Sequence, residues 1–166
     1  LQVSGANTDP AQNRRTGRHE LTLSPEATDL LETFARKNRL TLNPVLHGAW
    51  ALLLHRYSGS TDILFGSVVS GRPPELHGLD DMVGCFLNTL PFQTRIQTGM
   101  SLLEWLKQLQ HQHLEMREFE QSGLMDISRW AGLQGQVHSW LQTALVFENL
   151  AEFPAEFPGL NLRLVS

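Results

Sequence analysis

Apolar residues recur along the chain at two spacings, one helical and one alternating, and the spacing changes where turn-forming residues fall. Ser24-Pro25-Glu26 opens the first helical segment, because a serine caps free amides, proline suits the first helical position and an acid there favours the dipole. Ala27, Leu30, Leu31, Phe34 and Ala35 follow at i, i+3, i+4, i+7 and i+8, which predicts one buried stripe. A second start at Thr41 or Asn43, with Pro44, leads into Val45, Leu46, Ala49, Trp50, Leu52, Leu53 and Leu54. That helix is apolar on most of its circumference and is expected to be central. Ser58-Gly59 ends it, since glycine takes the left-handed conformation at no steric cost.

The spacing then becomes that of strands. Ile63-Leu64-Phe65 and Val68-Val69 predict a buried strand, with a bulge at Gly66. It stops at Gly71-Arg72-Pro73-Pro74, and from there to Gly84 no periodicity holds, which predicts an ordered excursion of the kind that often carries function. Phe86, Asn88, Leu90, Phe92, Thr94 and Ile96 share one face of the next strand, and Leu87, Thr89, Pro91, Gln93 and Arg95 the other. Pro91 cannot donate to a ladder, so that strand lies at an edge or is broken there. Ser101-Leu102-Leu103-Glu104 is a capping box that opens a long helix with the stripe Leu102, Leu106, Leu109, His113, Met116. A short helix over 124–131, a strand over 143–147 and a final strand through Leu160, Leu162 and Leu164 complete the pattern. Helices and strands intermingle, so the expected fold class is α/β (α+β), a two-layer sandwich of helices on one mixed sheet.

Composition narrows the possible functions. The chain has 166 residues, and 13 Lys plus Arg against 17 Asp plus Glu give a formal charge of −4. One domain of ~150 residues is the expectation for such a length. An acidic chain does not attract nucleic acid or anionic membranes as a whole, and the one basic cluster, Arg14, Arg15 and Arg18, lies in a polar leader read as a solvated linker. A single cysteine, Cys85, precludes an internal disulfide and suits the cytoplasm. The longest apolar stretch, Ala49 to Leu54, is far below the ~20 residues that span a bilayer.

Candidate chemistry is sparse. His111 and His113 lie about 200° apart on a helix and cannot ligate one ion from the same face. His113, on the apolar stripe, is expected to be a hydrogen-bonded core or interface histidine, and Cys85 a small packed residue. Asp80-Asp81 suits a helix start better than paired acid-base chemistry, and Trp50, Trp105, Trp130 and Trp140 are expected in core or interface. No G-x-S-x-G elbow, phosphate-binding glycine loop, dinucleotide fingerprint or H-E-x-x-H occurs.

Five segments, in order, carry a resemblance: 41–59 (TLNPVLHGAWALLLHRYSG), 62–76 (DILFGSVVSGRPPEL), 78–91 (GLDDMVGCFLNTLP), 124–130 (LMDISRW) and 145–149 (LVFEN). Together they make the chain resemble the C-terminal lobe of the condensation domain of nonribosomal peptide synthetases. The resemblance implies one lobe of a fold like chloramphenicol acetyltransferase, with residues 1–20 a flexible inter-lobe linker and 21–166 the lobe, truncated at its end. It further implies a tunnel between two lobes, where donor and acceptor thioesters arrive on the phosphopantetheine arms of carrier proteins and are joined by a peptide bond. No cofactor is bound directly. The implied partners are the N-terminal lobe and peptidyl or aminoacyl carrier proteins.

By the same resemblance, the segment from Ser70, Gly71 and Arg72 through Gly84 and Cys85 forms the tunnel floor, Arg72 holds the loop or meets a phosphopantetheine, and Asn88 lies near the active centre. An asparagine there offers both a donor and an acceptor to a thioester or amide. The family's H-H-x-x-x-D-G belongs to the N-terminal lobe; this sequence has no His-His and no Asp-Gly pair, so no catalytic residue is expected in it and activity alone is not expected. A lobe of an epimerisation domain and a non-catalytic platform for carrier or partner proteins are the alternatives.

Overall fold

The computed structural model describes residues 19–70, 78, 82–133 and 140–148. Four helices, α1 (Pro25–Lys37), α2 (Leu42–Ser58), α3 (Leu102–Met116) and α4 (Leu124–Trp130), accompany three strands, β1 (Asp62–Val69), β2 (Asn88–Arg95) and β3 (Ala144–Leu145). The sheet is mixed and ordered β2-β1-β3, with β1 antiparallel to β2 and parallel to β3. The α/β class expected from the sequence is the one observed. The final strand expected near 160–164 and most of the excursion expected over 71–84 lie outside the described residues.

The sheet presents one face to α2 and α3. Ile63, Phe65 and Ser67 of β1 stand opposite Thr94, Phe92 and Leu90 of β2, and all six are buried. Direct pairing of large apolar groups on one face is what stabilises an antiparallel ladder. Asp62 and Arg95 close the far end of the register: the guanidinium donates twice to the carboxylate, at 2.7 and 3.0 Å, and holds that carboxyl below its ordinary range. Trp105 of α3 donates its Nε1–H to Thr94 Oγ1 at 3.2 Å, so the indole packs without stranding its donor. α2 crosses α3 closely at Gly48, where a Cβ would lie 2.6 Å from Leu106 Cδ2.

Local chemistry fixes the helix ends. Ser24 Oγ accepts from Ala27 N at 3.2 Å, and at α3 the capping box forms in full, with Glu104 N donating to Ser101 Oγ and Ser101 N donating to the Glu104 carboxylate. Gly59 closes α2 at φ 70°, a conformation an L side chain resists. α2 starts at Thr41 with no side-chain cap.

Four expectations need correction. β1 has no bulge at Gly66: the register runs unbroken from Asp62 to Val69, and the glycine is there because a Cβ would meet Thr89 Cγ2 at 2.8 Å and Ala144 Cβ at 3.2 Å. The α1 stripe is narrower than predicted, with only Ala35 buried and Leu30 71% exposed; the main neighbour of α1 is α2. α2 is not enclosed: Pro44, His47, Gly48, Ala51 and Leu54 face inward while Leu46, Leu53 and Tyr57 stay exposed. Leu102 is 56% exposed, since it sits in the first turn of α3 beyond the end of β2, where it lines a shallow cavity with Leu52 and Ile96.

Pro91 is accommodated rather than disruptive. It faces Gly66, whose N–H donates to Thr143 O at 2.7 Å on the β3 side. Since a residue's N–H and C=O point the same way in a strand, Gly66 and Pro91 form a pair without mutual hydrogen bonds, and the ring nitrogen of Pro91 faces away from β1.

Candidate functional site

Two histidines far apart in sequence meet at the centre of the core. His47 on α2 and His113 on α3 lie edge to face, with ring centroids 4.1 Å apart, and His113 stacks on Phe92 at 4.7 Å. His47 also packs against Phe65 and Phe92. The hydrogen bonds of His47 set its tautomer. Its Nδ1 is 3.0 Å from the Asn43 carbonyl, which can only accept, so Nδ1 carries the proton. Nε2 then accepts from the Ser67 hydroxyl at 2.9 Å. Burial pushes the His47 ring down to about 4, against the Asn43 carbonyl, which favours the charged form. His113 is likewise pushed down to about 4 by burial, reinforced by the facing His47. Both rings are neutral at pH 7.

A serine hydroxyl bound to a histidine nitrogen invites a nucleophile reading. Access rules it out here, because Ser67 and His47 are each only 1% exposed and no substrate atom can reach the hydroxyl. The pair is a buried polar link between helix and sheet. Periodicity and motifs single out neither residue; the available signal is a histidine inside an apolar helix and a serine inside an apolar strand, each needing a partner once buried.

The structure also places the residues expected at the tunnel floor. The β1–β2 register sets Val69 opposite Asn88, so Ser70 and Asn88 lie at the same end of the sheet. Gly71 and Arg72 lie outside the described residues, as do Asp80 and Asp81. Gly84 is exposed, next to the ring of Phe86. Cys85 is exposed, not packed as expected, because residues 82–87 form no strand or helix and lie at the surface.

Asn88 is half-buried on the inward face of β2, and its amide is engaged. Nδ2 donates to Glu120 O and Ser122 O, each at 2.8 Å, and Oδ1 accepts from Thr89 N at 2.9 Å. Both amide hydrogens are spent on the turn that leads into α4, which corrects the expected donor role; only an oxygen lone pair remains for another group.

His111 and His113 do point apart: His111 is exposed and lies 3.3 Å from Glu115, while His113 faces the core. The Nε2 of His113 has no hydrogen-bond partner, in contrast to the bonded histidine expected. Trp105 is buried as predicted, whereas Trp130 is 70% exposed. Among the described residues no group of three or more His, Cys, Asp or Glu side chains could hold a metal, and no helix is long and apolar enough to cross a membrane.

With this geometry in place, comparison with known proteins is decisive. The family model described as condensation domain matches residues 2–158. The chain belongs to the condensation domain family. Among relatives of this condensation domain chain, a linear gramicidin synthase of Brevibacillus parabrevis is 46% identical over 132 residues, covering 79% of this chain and 3% of its own length. Chondramide synthase cmdD of Chondromyces crocatus is 39% identical over 158 residues, covering 95% of this chain and 4% of its own. The condensation domain chain thus spans a few per cent of the synthetases it matches.

Solved structures agree on the fold. A holo four-domain nonribosomal peptide synthetase, bound to AMP and glycine, superposes with a TM-score of 0.70 at 20% identity, over 78% of this chain and 10% of that one. The first condensation domain of the calcium-dependent antibiotic synthetase, in complex with a substrate analogue, gives 0.61 at 23% identity, over 76% and 27%.

Proposed function

We propose that this chain supplies the floor and one wall of a condensation tunnel in which two carrier-tethered thioesters are joined. The acceptor amine attacks the donor thioester carbonyl, a C–N bond forms, the C–S bond breaks, and the thiol leaves with a proton. Residues 21–166 form the C-terminal lobe and 1–20 the connection toward the N-terminal lobe. Ser70, Gly71, Arg72, Gly84 and Cys85 belong to the floor, and Asn88 fixes the end of the sheet beside it. The partners are the N-terminal lobe and aminoacyl or peptidyl carrier proteins, whose phosphopantetheine arms bring the substrates, in the cytoplasm.

The observation that carries this reading is the register that sets Val69 opposite Asn88, within a family match over 2–158. It brings both ends of the 70–87 connection together at one end of the sheet, which is how a scaffold positions a functional loop. Mixing the chain with an N-terminal lobe that carries H-H-x-x-x-D-G, together with two loaded carrier proteins, should yield dipeptide. Reconstituted folded lobes that leave both thioesters intact would refute it.

A second reading, a platform for partner proteins without catalysis, is favoured by the exposed row Leu46, Leu53 and Tyr57 on α2. Carrier binding that persists in reconstituted lobes without any turnover would select it.

A further inference from the structure

Among the described residues Arg39 is the only one besides glycine with a left-handed backbone, at φ 57°. It stands at the corner between α1 and α2, where a helix most often ends in glycine. Leu40 N donates to Ala35 O at 2.8 Å and Arg39 N to Arg36 O at 3.2 Å, the two bonds that close a helix through a left-handed residue. An L side chain makes that conformation uphill, and it persists only where the surroundings over-determine it. Here they come from α3. The Gln110 carboxamide spans the corner: its Nε2 donates to Arg39 O and its Oε1 accepts from Thr41 N, each at 2.9 Å. The rest of α1 is lightly held. Its one buried residue, Ala35, and the partly buried Phe34 lie in its final turn, whereas Ala27 and Leu31 are only half-buried and Leu30 is 71% exposed. Leu40, just past the strained residue, is buried in the core.

We propose that α1 is a latched arm, which swings off the lobe as a unit about Asn38 and Arg39, with the Gln110 carboxamide as its latch. An element with few buried contacts is the first to open, and the burial of Leu40 fixes where the bend falls. Swinging out breaks the two closing bonds and the bond from Gln110 Nε2 to Arg39 O, uncovers Ala35 and Phe34, and lets Arg39 leave the left-handed region. Leu40, α2, α3 and the sheet stay folded. Thr41 and Gln110 also line a cavity of about 430 Å³ that reaches Ser70, the first residue of the proposed floor, so the latch is part of that cavity's wall. The arm is where the proposed connection 1–20 enters the lobe. Its use in passing a movement of that connection to the cavity wall rests on the condensation reading above, whereas the hinge itself does not.

Native-state amide exchange of the full chain, followed by NMR in low urea, tests this. The α1 amides should exchange as one group, faster than those of the β1–β2 ladder and with a shallower dependence on urea, because a swing exposes less surface than unfolding does. Gln110→Ala should speed α1 exchange ~5-fold, the worth of one hydrogen bond. Arg39→Gly should slow it ~5-fold, since relief of the left-handed strain outweighs the freedom glycine gains when the arm is out. Ser67→Ala weakens the link to His47, which stays intact when the arm is out, so it should speed exchange in the ladder and leave α1 unchanged. Amides of α1 that share the urea dependence of the ladder, that follow Ser67→Ala, or that fray one by one from Pro25 inward would overturn the hinge. Exchange in α1 that Gln110→Ala does not move would overturn the latch. The measurement needs neither a second lobe nor carriers, so its outcome is separate from that of dipeptide formation.

Discussion

The Nε2 of His47 lies 2.9 Å from the hydroxyl of Ser67, a link between the middle of α2 and the middle of β1 that only the folded chain can make. Ser67→Ala removes the donor and leaves a buried imidazole nitrogen unpaired. The expected cost is ~1–3 kcal/mol, the penalty of stranding one buried polar group. Urea unfolding followed by tryptophan fluorescence checks it, and an unchanged midpoint would show that the link adds nothing.

Stability should depend on pH through the same cluster. His47 and His113 sit near 4 in the folded chain against about 6.5 when unfolded. A base with a lowered folded pKa is neutral in the native state while the unfolded chain takes up protons. Its contribution is therefore complete above pH 6.5 and lost progressively as pH falls through 6.5 toward 4. The urea midpoint should fall over that window, and His113→Phe, which removes one of the two groups, should make the fall shallower. A midpoint that is flat from pH 7 to 4.5 would contradict this.

Gly66→Ala tests the close approach of three strands. The new methyl would lie 2.8 Å from Thr89 Cγ2 and 3.2 Å from Ala144 Cβ, on the two-residue strand β3 that pairs with β1 at Gly66 and Ser67. Overpacking of this kind costs ~1–3 kcal/mol. Amide exchange at Gly66, whose N–H donates to Thr143 O, should speed up markedly in the variant, whereas exchange like the parent's would mean that β3 adjusts freely.

Much of this arrangement is legible in the sequence wherever the signal is local. Ser24 and the Ser101/Glu104 box mark helix starts by hydrogen bonds that span three residues, and the alternation of Leu90, Phe92 and Thr94 states which face of β2 is buried. What escapes depends on distant partners. Gly66 reads as a bulge until Thr89 and Ala144 are seen beside it, and Leu30 continues a good apolar stripe but lies 71% exposed on a helix whose main neighbour is α2. The site shows the same division. Asn88 stands out by its segment, but the carbonyls of Glu120 and Ser122 that take its hydrogens lie 32 and 34 residues away. His47 and His113 meet from two separate helices, a pairing no periodicity encodes.

Asn88→Asp should be harsher than Asn88→Ala in a condensation domain carrying this lobe. The carboxylate would point an acceptor at two carbonyl oxygens that now receive N–H groups, while alanine merely leaves them unpaired, at ~1–3 kcal/mol. The aspartate variant should melt lower than the alanine variant, and both should lose condensation rate beyond their unfolded fraction if the turn at 120–122 shapes the tunnel. Variants that turn over at the parent rate per folded molecule would make Asn88 purely structural.

The chain by itself should form no dipeptide from loaded carriers, because its sequence has no His-His pair and a general base typically contributes 10²–10⁴-fold. Product above the uncatalysed background, measured by mass spectrometry on the isolated chain, would place a base within this lobe.

The orientation of Pro91 has a consequence for how these molecules behave in a crowd. β2 is the outer strand of the sheet among the described residues, and an outer strand is a template on which another chain can add itself. Pro91 turns its ring nitrogen toward that open side, so an arriving strand meets a missing donor and a bulky ring near the middle of the run. The ladder with β1 loses nothing by it, since the Gly66–Pro91 pair exchanges no bonds. One residue thus leaves the inner pairing intact and makes the outer edge a poorer template for an added strand, which matters most where such a sheet is one small part of a very long polypeptide, as in the synthetases this chain matches.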